Sequence, residues 1–186
     1  TQSEYDPLNR LKRTLEDVGG ISAETKFKYD AQDNLTEVTD PKGLITTYAY
    51  DGLGQLKTTS SPDTGTTQRT YDAAGNLKTS TDARGIATSY SYDALSRVTA
   101  VGYPILGEDV TYTYDTVPVV CTAGEGFAAG QLSSMMDSSG RTDYCYSRFG
   151  NLVRKVQVTN GKTFVVRYSY TVGGNLASVI YPDGAR

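Results

Sequence analysis

Few residues of this sequence could do chemistry, and the strongest catalytic signature is a single Asp-Thr-Gly-Thr. The chain has 21 acidic side chains, two cysteines and no histidine, which excludes Ser-His-Asp and Cys-His catalysis and all histidine-ligated metal sites. Asp63 to Thr66 match the core of an aspartic protease, where two such carboxylates share one proton. Only one copy is present, and the polar stretch TTSSP precedes it in place of a hydrophobic strand. We therefore interpret Asp63 as a turn residue.

A second acidic cluster has the spacing of a calcium loop. Asp30, Gln32 and Asn34 stand where the first ligands of such a loop would stand. The glycine and the closing glutamate that complete the loop are absent. We interpret these residues as a turn as well, and we predict that the protein is not an enzyme and has no metal site and no cofactor.

The elements that position these acidic residues follow from a repeat. Tyr-Asp dipeptides recur with a step near 21, as at Tyr50, Tyr71 and Tyr92, and a Leu or Val follows each repeat tyrosine by six residues. A fixed period of this length indicates a repeat architecture. We therefore predict a single repetitive domain over residues 1–186. The structural repeat residues are Tyr5, Asp6, Tyr29, Asp30, Tyr50, Asp51, Tyr71, Asp72, Gly75, Tyr92, Asp93, Tyr114, Asp115, Tyr146 and Tyr170.

Each repeat unit has the pattern of a β-hairpin with a turn at both ends. After Leu77, the polar DARG separates two stretches rich in Thr, Ser and Tyr, and the second stretch alternates with period two. Asp72 can accept hydrogen bonds from its own turn, while Gly75 and Gly85 can adopt positive φ. The pattern predicts an all-β fold: an antiparallel β-hairpin meander of about 14 strands that forms a curved ribbon.

Paired tyrosines such as Tyr90 and Tyr92 stand two residues apart, so both rings leave the same face of a strand. One interpretation is packing along the sheet, since aromatic cross-strand pairs stabilise sheets. The alternative is a row of aromatic platforms that binds carbohydrate in a cell-surface or secreted adhesion module.

The net charge of −3 and the isoelectric point near 5.0 provide no basic footprint for nucleic acid. No apolar run approaches the roughly 20 residues of a membrane-spanning helix. We therefore expect neither nucleic acid nor a membrane span.

The stretch YDAAGNLKTSTDARGIATSYSYD, residues 71–93, resembles the RHS or YD repeat of bacterial Rhs proteins, the B and C components of Tc toxin complexes, and the teneurin shell. The resemblance implies a ribbon that winds into a hollow shell, which in the toxin members encloses a C-terminal toxin domain. No Asp-Pro-Gly cleavage signature of the Rhs toxins follows Tyr170. We thus expect a non-catalytic segment of a larger shell.

The partners implied by this resemblance are the remainder of the RHS shell and an enclosed toxin domain, together with secretion-system or toxin-complex proteins. The implied localisation is secreted, cell-surface, or held in a bacterium for delivery by a secretion system.

One Tyr-Asp turn carries an insertion, at about residues 115–131. Leu132 follows Tyr114 by eighteen residues instead of six, whereas the step from Leu132 to Tyr146 is ordinary. The insertion is more apolar than its surroundings, with Val117, Val119, Val120 and Phe127. We expect it to cover an open sheet edge, with a plug against another part of the shell as the alternative.

The only two cysteines, Cys121 and Cys145, are a candidate disulfide. If DSSG closes a hairpin with Asp137 opposite Gly140, the register places Cys145 opposite Leu132, where the insertion rejoins the sheet. Cys121 lies in that insertion, within reach of the roughly 4.4–6.8 Å Cα separation of a disulfide. The alternative is a pair of independent thiols in a reducing cytosol.

Overall fold

Sixteen β-strands joined by turns and loops form the molecule, and no helix occurs among residues 1–185, which the computed structural model describes. The strands pair in chain order in one antiparallel sheet. The predicted all-β meander is confirmed. Nothing in the described residues could cross a membrane as a helix.

The first of two compact units covers Thr1–Ser89. Its strands are β1 (Gln2–Tyr5), β2 (Leu11–Glu16), β3 (Ala23–Tyr29), β4 (Leu35–Thr39), β5 (Ile45–Tyr50), β6 (Leu56–Ser61), β7 (Gly65–Tyr71), β8 (Leu77–Thr81) and the first part of β9 (Ala87–Tyr92). Along β5, exposure alternates strictly: Thr47 and Ala49 are exposed, while Tyr48 and Tyr50 are half-buried. Both rings of this tyrosine pair therefore leave the same face of the strand. No residue of this unit is fully buried.

The second unit covers Tyr90–Arg186. Its further strands are β10 (Val98–Gly102), β11 (Val110–Tyr114), β12 (Leu132–Asp137), β13 (Gly140–Tyr146), β14 (Leu152–Thr159), β15 (Lys162–Tyr170) and β16 (Leu176–Ile180). All buried residues among 1–185 lie in this unit, around the insertion. They are Pro118, Ala128, Ser133, Ser134, Thr142, Asp143, Cys145, Arg154 and Val156.

The number of strands differs from the predicted 14. Seven tyrosine-to-tyrosine steps enclose 14 strands, β2 to β15, and the structure adds one strand at each end of that array. The two strands beyond the predicted number are β1 and β16. β1 and β16 lie outside those intervals and pair with β2 and β15.

A β-bulge accompanies the repeat tyrosines. Tyr71 pairs with Leu77, but Thr70 pairs with Thr79, so Lys78 is an extra residue opposite the tyrosine. The same shift occurs at Tyr5, Tyr29, Tyr50, Tyr114, Tyr146 and Tyr170. A bulge bends its strand and increases the local twist. Each repeat therefore contains a local bend at a fixed position.

Candidate functional site

The Tyr-Asp turns are organised by the aspartate carboxylate. Asp72 Oδ1 accepts hydrogen bonds from the backbone N–H groups of Ala74, at 2.9 Å, and Asn76, at 2.8 Å. The Asp72 N–H donates to the Asn76 carbonyl, and Gly75 N–H donates to the Asp72 carbonyl. Gly75 has φ of 86°, a left-handed conformation that glycine adopts without steric cost. The carboxylate thus satisfies the donors of a five-residue turn.

This arrangement recurs at both ends of the hairpins. Equivalent pairs of backbone N–H groups are bound by Asp6, Asp30, Asp51 and Asp93, and by Asp40 and Asp82 in the opposite turns. In the eroded copies, the hydroxyls of Ser147 and Thr171 accept longer bonds, of 3.4 and 3.2 Å. Asp30, the first residue of the calcium-like spacing, uses its carboxylate on the backbone of its own turn.

The protease-like Asp63 also lies in a hairpin turn. Ser61 pairs with Gly65, so Asp63 is in the three-residue connection between β6 and β7. Its N–H group donates to the Ser61 hydroxyl oxygen at 3.4 Å. This placement agrees with the interpretation of Asp63 as a turn residue.

The turn carboxylates make stability depend on pH. Hydrogen bonds, led by the one from the Asn76 side chain, hold the pKa of Asp72 below its usual value, and the pKa values of Asp6, Asp30 and Asp93 are lowered likewise. The folded state therefore binds fewer protons than the unfolded chain near these pKa values. The stability from these groups is complete above the unfolded pKa, about 4, and is lost as the pH falls through the lower folded values.

We expect the urea midpoint to decrease as the pH falls from 5 to 2.5. Replacing Asp6, Asp30, Asp72 and Asp93 together by asparagine should flatten this decrease, since asparagine keeps an acceptor oxygen but does not titrate. Urea titrations of both proteins across that range measure the effect. Equal pH slopes for the two proteins would contradict the assignment.

Five of the repeat tyrosines link their repeat to the preceding one. The Tyr29 hydroxyl donates to the Leu11 carbonyl at 2.9 Å, and Leu11 is the residue that follows the previous repeat tyrosine by six positions. The same bond, also of 2.9 Å, joins Tyr71 to Leu56, Tyr114 to Val98, Tyr146 to Leu132 and Tyr170 to Leu152. The sequence predicted packing for these rings but not this hydrogen bond. Its only signal was the constant spacing of tyrosine and Leu or Val.

The other tyrosine of each pair is different. Within residues 1–185, no hydrogen bond involves the hydroxyls of Tyr48, Tyr90, Tyr112, Tyr144 and Tyr168. Burial, and then the neighbouring Tyr112 and Tyr168, raise the pKa of Tyr144. These rings are half-buried, and their hydroxyls do not link repeats.

The two classes of tyrosine should respond differently to loss of the hydroxyl. We expect Tyr71→Phe to lower the free energy of unfolding by about 1 kcal/mol, because the Leu56 carbonyl loses its donor. Tyr48→Phe is the matched control and should leave stability almost unchanged. Chemical denaturation of both variants tests this, and an equal effect of the two substitutions would contradict the assigned role.

Two arginines that the sequence did not single out bridge consecutive turns. Arg97 pairs with Asp93 in its own turn and with Asp115 in the next, and its guanidinium lies 4.4 Å from the centre of the Tyr114 ring. Arg10 makes the equivalent contacts with Asp6 and Asp33 and lies over the Tyr29 ring. Both follow a repeat tyrosine by five residues. Asparagine or glutamine occupies this position in most other copies, so the repeat pattern does not mark the position as one for arginine.

The insertion between β11 and β12 packs over β13 and β14. Tyr146 N–H donates to the Glu125 carbonyl at 3.0 Å, and Phe127 N–H donates to the Tyr146 carbonyl at 3.3 Å. β13 and β14 are interior strands, so the expectation that the insertion covers an edge strand is wrong. Its larger apolar side chains contribute little to this contact, since Val117 is 51%, Val119 is 99% and Phe127 is 48% exposed.

Arg154 on β14 is the polar anchor of the insertion. Its guanidinium donates to the Val120 carbonyl at 3.0 Å and to the Thr122 hydroxyl at 2.7 Å, and it pairs with the Glu125 carboxylate at 2.7 Å. The Arg154 and Glu125 side chains are only 11% and 18% exposed. Sequence reasoning missed this residue because nothing in the repeat marks it.

The cysteines lie beside this anchor. Cys121 and Cys145 are joined in the structure, with Cα atoms 5.5 Å apart, and Cys145 pairs in register with Arg154. Asp137 does face Gly140, the register from which the pairing was inferred. The bond in solution stays a prediction, and its test is given below.

Comparison with known proteins identifies a matching family and solved structures of similar fold. The family model described as RHS Repeat matches residues 29–66, 71–104 and 146–186, which together exceed half of the chain. A search of curated protein sequences finds no significant match.

Solved structures share the architecture at low identity. The crystal structure of TcdB2-TccC3 superposes with a TM-score of 0.71 at 18% identity over 97% of this chain and 11% of that one. The Tc holotoxin pore of Photorhabdus luminescens gives 0.69 at 18% identity, over 93% of this chain and 10% of that one. The chain thus spans about a tenth of the length of these proteins. The RHS Repeat model matches more than half of the chain, including most of its tyrosine-linked hairpins. The chain therefore belongs to the RHS-repeat family.

Proposed function

We propose that this chain is a non-catalytic wall segment of an RHS-repeat shell that encloses a polypeptide toxin for secretion or delivery. The observation that carries the proposal is the chain of tyrosine hydroxyl bonds, each joining one repeat to the preceding one. Such bonds allow the sheet to be extended by further repeats, because a carbonyl of one repeat accepts the tyrosine hydroxyl of the next. The fold shared with TcdB2-TccC3 supports the same role.

The acidic side chains support a structural role too. The carboxylates of seven aspartates accept hydrogen bonds from backbone N–H groups of their own turns, as Asp72 does. The Asp115 carboxylate is bound by Arg97 and by the Gly130 N–H group. Carboxylates bound in this way define turns and are not poised for proton transfer.

The proposal is tested on the natural protein that contains this sequence. Electron microscopy should show a hollow particle with density inside, and limited proteolysis should spare a segment that becomes sensitive once the shell is opened by denaturant. A solid or extended particle without an internal space would refute enclosure.

One observation favours a second function, carbohydrate binding by a secreted or cell-surface module. The hydroxyls of Tyr112, Tyr144 and Tyr168 have no hydrogen-bond partner among residues 1–185, and rings of this kind stack on sugars. A glycan array separates the two functions. Saccharide binding that Tyr144→Ala and Tyr168→Ala abolish, and Tyr144→Phe retains, would support the second.

A further inference from the structure

The turn between β13 and β14, residues 147–151, forms a ridge with a groove on each side. One groove, of about 440 Å³, lies between this turn and the insertion and is lined by Val117, Phe127 and Arg148. The other, of about 730 Å³, lies between this turn and the next one and is lined by Arg148, Phe149 and Val172. Arg148 borders both grooves, so the two form one continuous surface.

Apolar side chains on this surface are unusually exposed. Phe149 is 73% exposed and Val172 is fully exposed, and Val117 and Phe127 are each about half exposed on the other side of the ridge. A contiguous exposed apolar surface marks an interaction site more often than scattered single residues do.

Arg148 supplies the charge at the centre. Its guanidinium lies 4.6 Å from the centre of the Phe149 ring, and it forms no ion pair with any residue of the described part of the chain. Asp115, the carboxylate among the residues that line the two grooves, is already paired with Arg97 and bound to the Gly130 N–H group. The cation therefore remains available to an external carboxylate.

We propose that this surface binds an extended polypeptide segment that carries a carboxylate between two apolar side chains. The carboxylate pairs with Arg148, and one apolar side chain enters each groove. The grooves lie on two sides of one hairpin turn, about two strand spacings or 10 Å apart. An extended chain of the polyproline II type rises about 3.1 Å per residue and returns a side chain to the same side at every third residue. It covers the distance in about three residues, so the two apolar residues stand three positions apart with the acid between them.

Charge complementarity favours a peptide over a saccharide. An uncharged sugar would satisfy the aromatic rings but would leave the guanidinium without an ionic partner. The inference goes beyond the shell role, since it assigns a defined binding surface to one turn. It holds whether or not the shell encloses a toxin.

The test uses three fluorescein-labelled hexapeptides, Ser-Leu-Gly-Xaa-Leu-Ser, in which Xaa is Glu, Gln or Lys. Fluorescence polarisation should show that the protein binds the Glu peptide about tenfold more tightly than the Gln peptide. Arg148→Glu should reverse the order in favour of the Lys peptide. Lys57→Glu, the same charge change at an exposed position in the first unit outside both grooves, should preserve the order.

A second readout locates the peptide. Hydrogen exchange in the presence of the Glu peptide should slow at residues 126–130 and 147–151 and remain unchanged at residues 72–76, the equivalent turn of the first unit. Equal affinity for the three peptides, an unchanged order in Arg148→Glu, or saccharide binding that Arg148→Glu leaves intact would overturn the proposal. Circular dichroism verifies that both variants fold, as expected for exposed side chains.

Discussion

Removing the bond between Cys121 and Cys145 is expected to lower the stability of the second unit by about 3 kcal/mol. The bond closes a span of 24 residues, and cross-links of that length restrict the unfolded chain by about this amount in the chain-entropy model. The effect should be large here because the larger apolar side chains of the insertion contribute little packing against the sheet: Val117, Val119 and Phe127 are exposed.

The measurement compares the protein with and without a reducing agent, and with a Cys121→Ala, Cys145→Ala variant. On reduction, the amide protons of Phe127 and Tyr146, which bond across the insertion and β13, should lose protection in hydrogen exchange. The amide of Gly75, in the first unit, provides the control and should not change. Mass spectrometry of unreduced protein from an oxidising compartment that finds two free thiols in the folded chain would end the disulfide hypothesis.

Arg154→Met is expected to destabilise the second unit by a similar amount, about 3 kcal/mol. Methionine keeps much of the side-chain volume but removes every donor to Val120, Thr122 and Glu125. Removing one member of a mostly buried ion pair is costly because the remaining charge loses its partner. The Glu125 pKa is lowered in the folded state despite a burial effect that raises it, since Thr122 and Arg154 bind the carboxylate.

Two comparisons isolate the ion pair. The double variant Arg154→Met, Glu125→Gln should recover part of the loss, because no unpaired carboxylate remains. Arg84→Met removes an exposed ion pair with Asp82 and should cost less than 1 kcal/mol. Urea unfolding of the four proteins completes the test. If Arg154→Met were no more harmful than Arg84→Met, Arg154 would not be the anchor of the insertion.

Much of the fold could be predicted from the sequence because its determinants are local. The turn at Asp72 forms between residues that are two and four positions apart, and Gly75 provides the left-handed residue at a fixed place. The position of the hairpin around Asp137 and Gly140 follows from the same kind of signal. The structure has two strands more than the predicted number of about 14, and they lie at the two ends, outside the intervals between repeat tyrosines.

The arrangement that only the tertiary structure decided joins residues far apart in sequence. The sequence by itself determined the repeat, the antiparallel meander and the turn role of the aspartates, since these depend on short-range hydrogen bonding and period-two alternation. The hydroxyl bond from Tyr29 to Leu11 depends on how one hairpin lies against the preceding one. The insertion binds Arg154 through Glu125, which precedes the arginine by 29 residues. This contact depends on the pairing of the strands that follow the insertion. No local pattern encodes such contacts, because their energy arises only after the strands have been brought together.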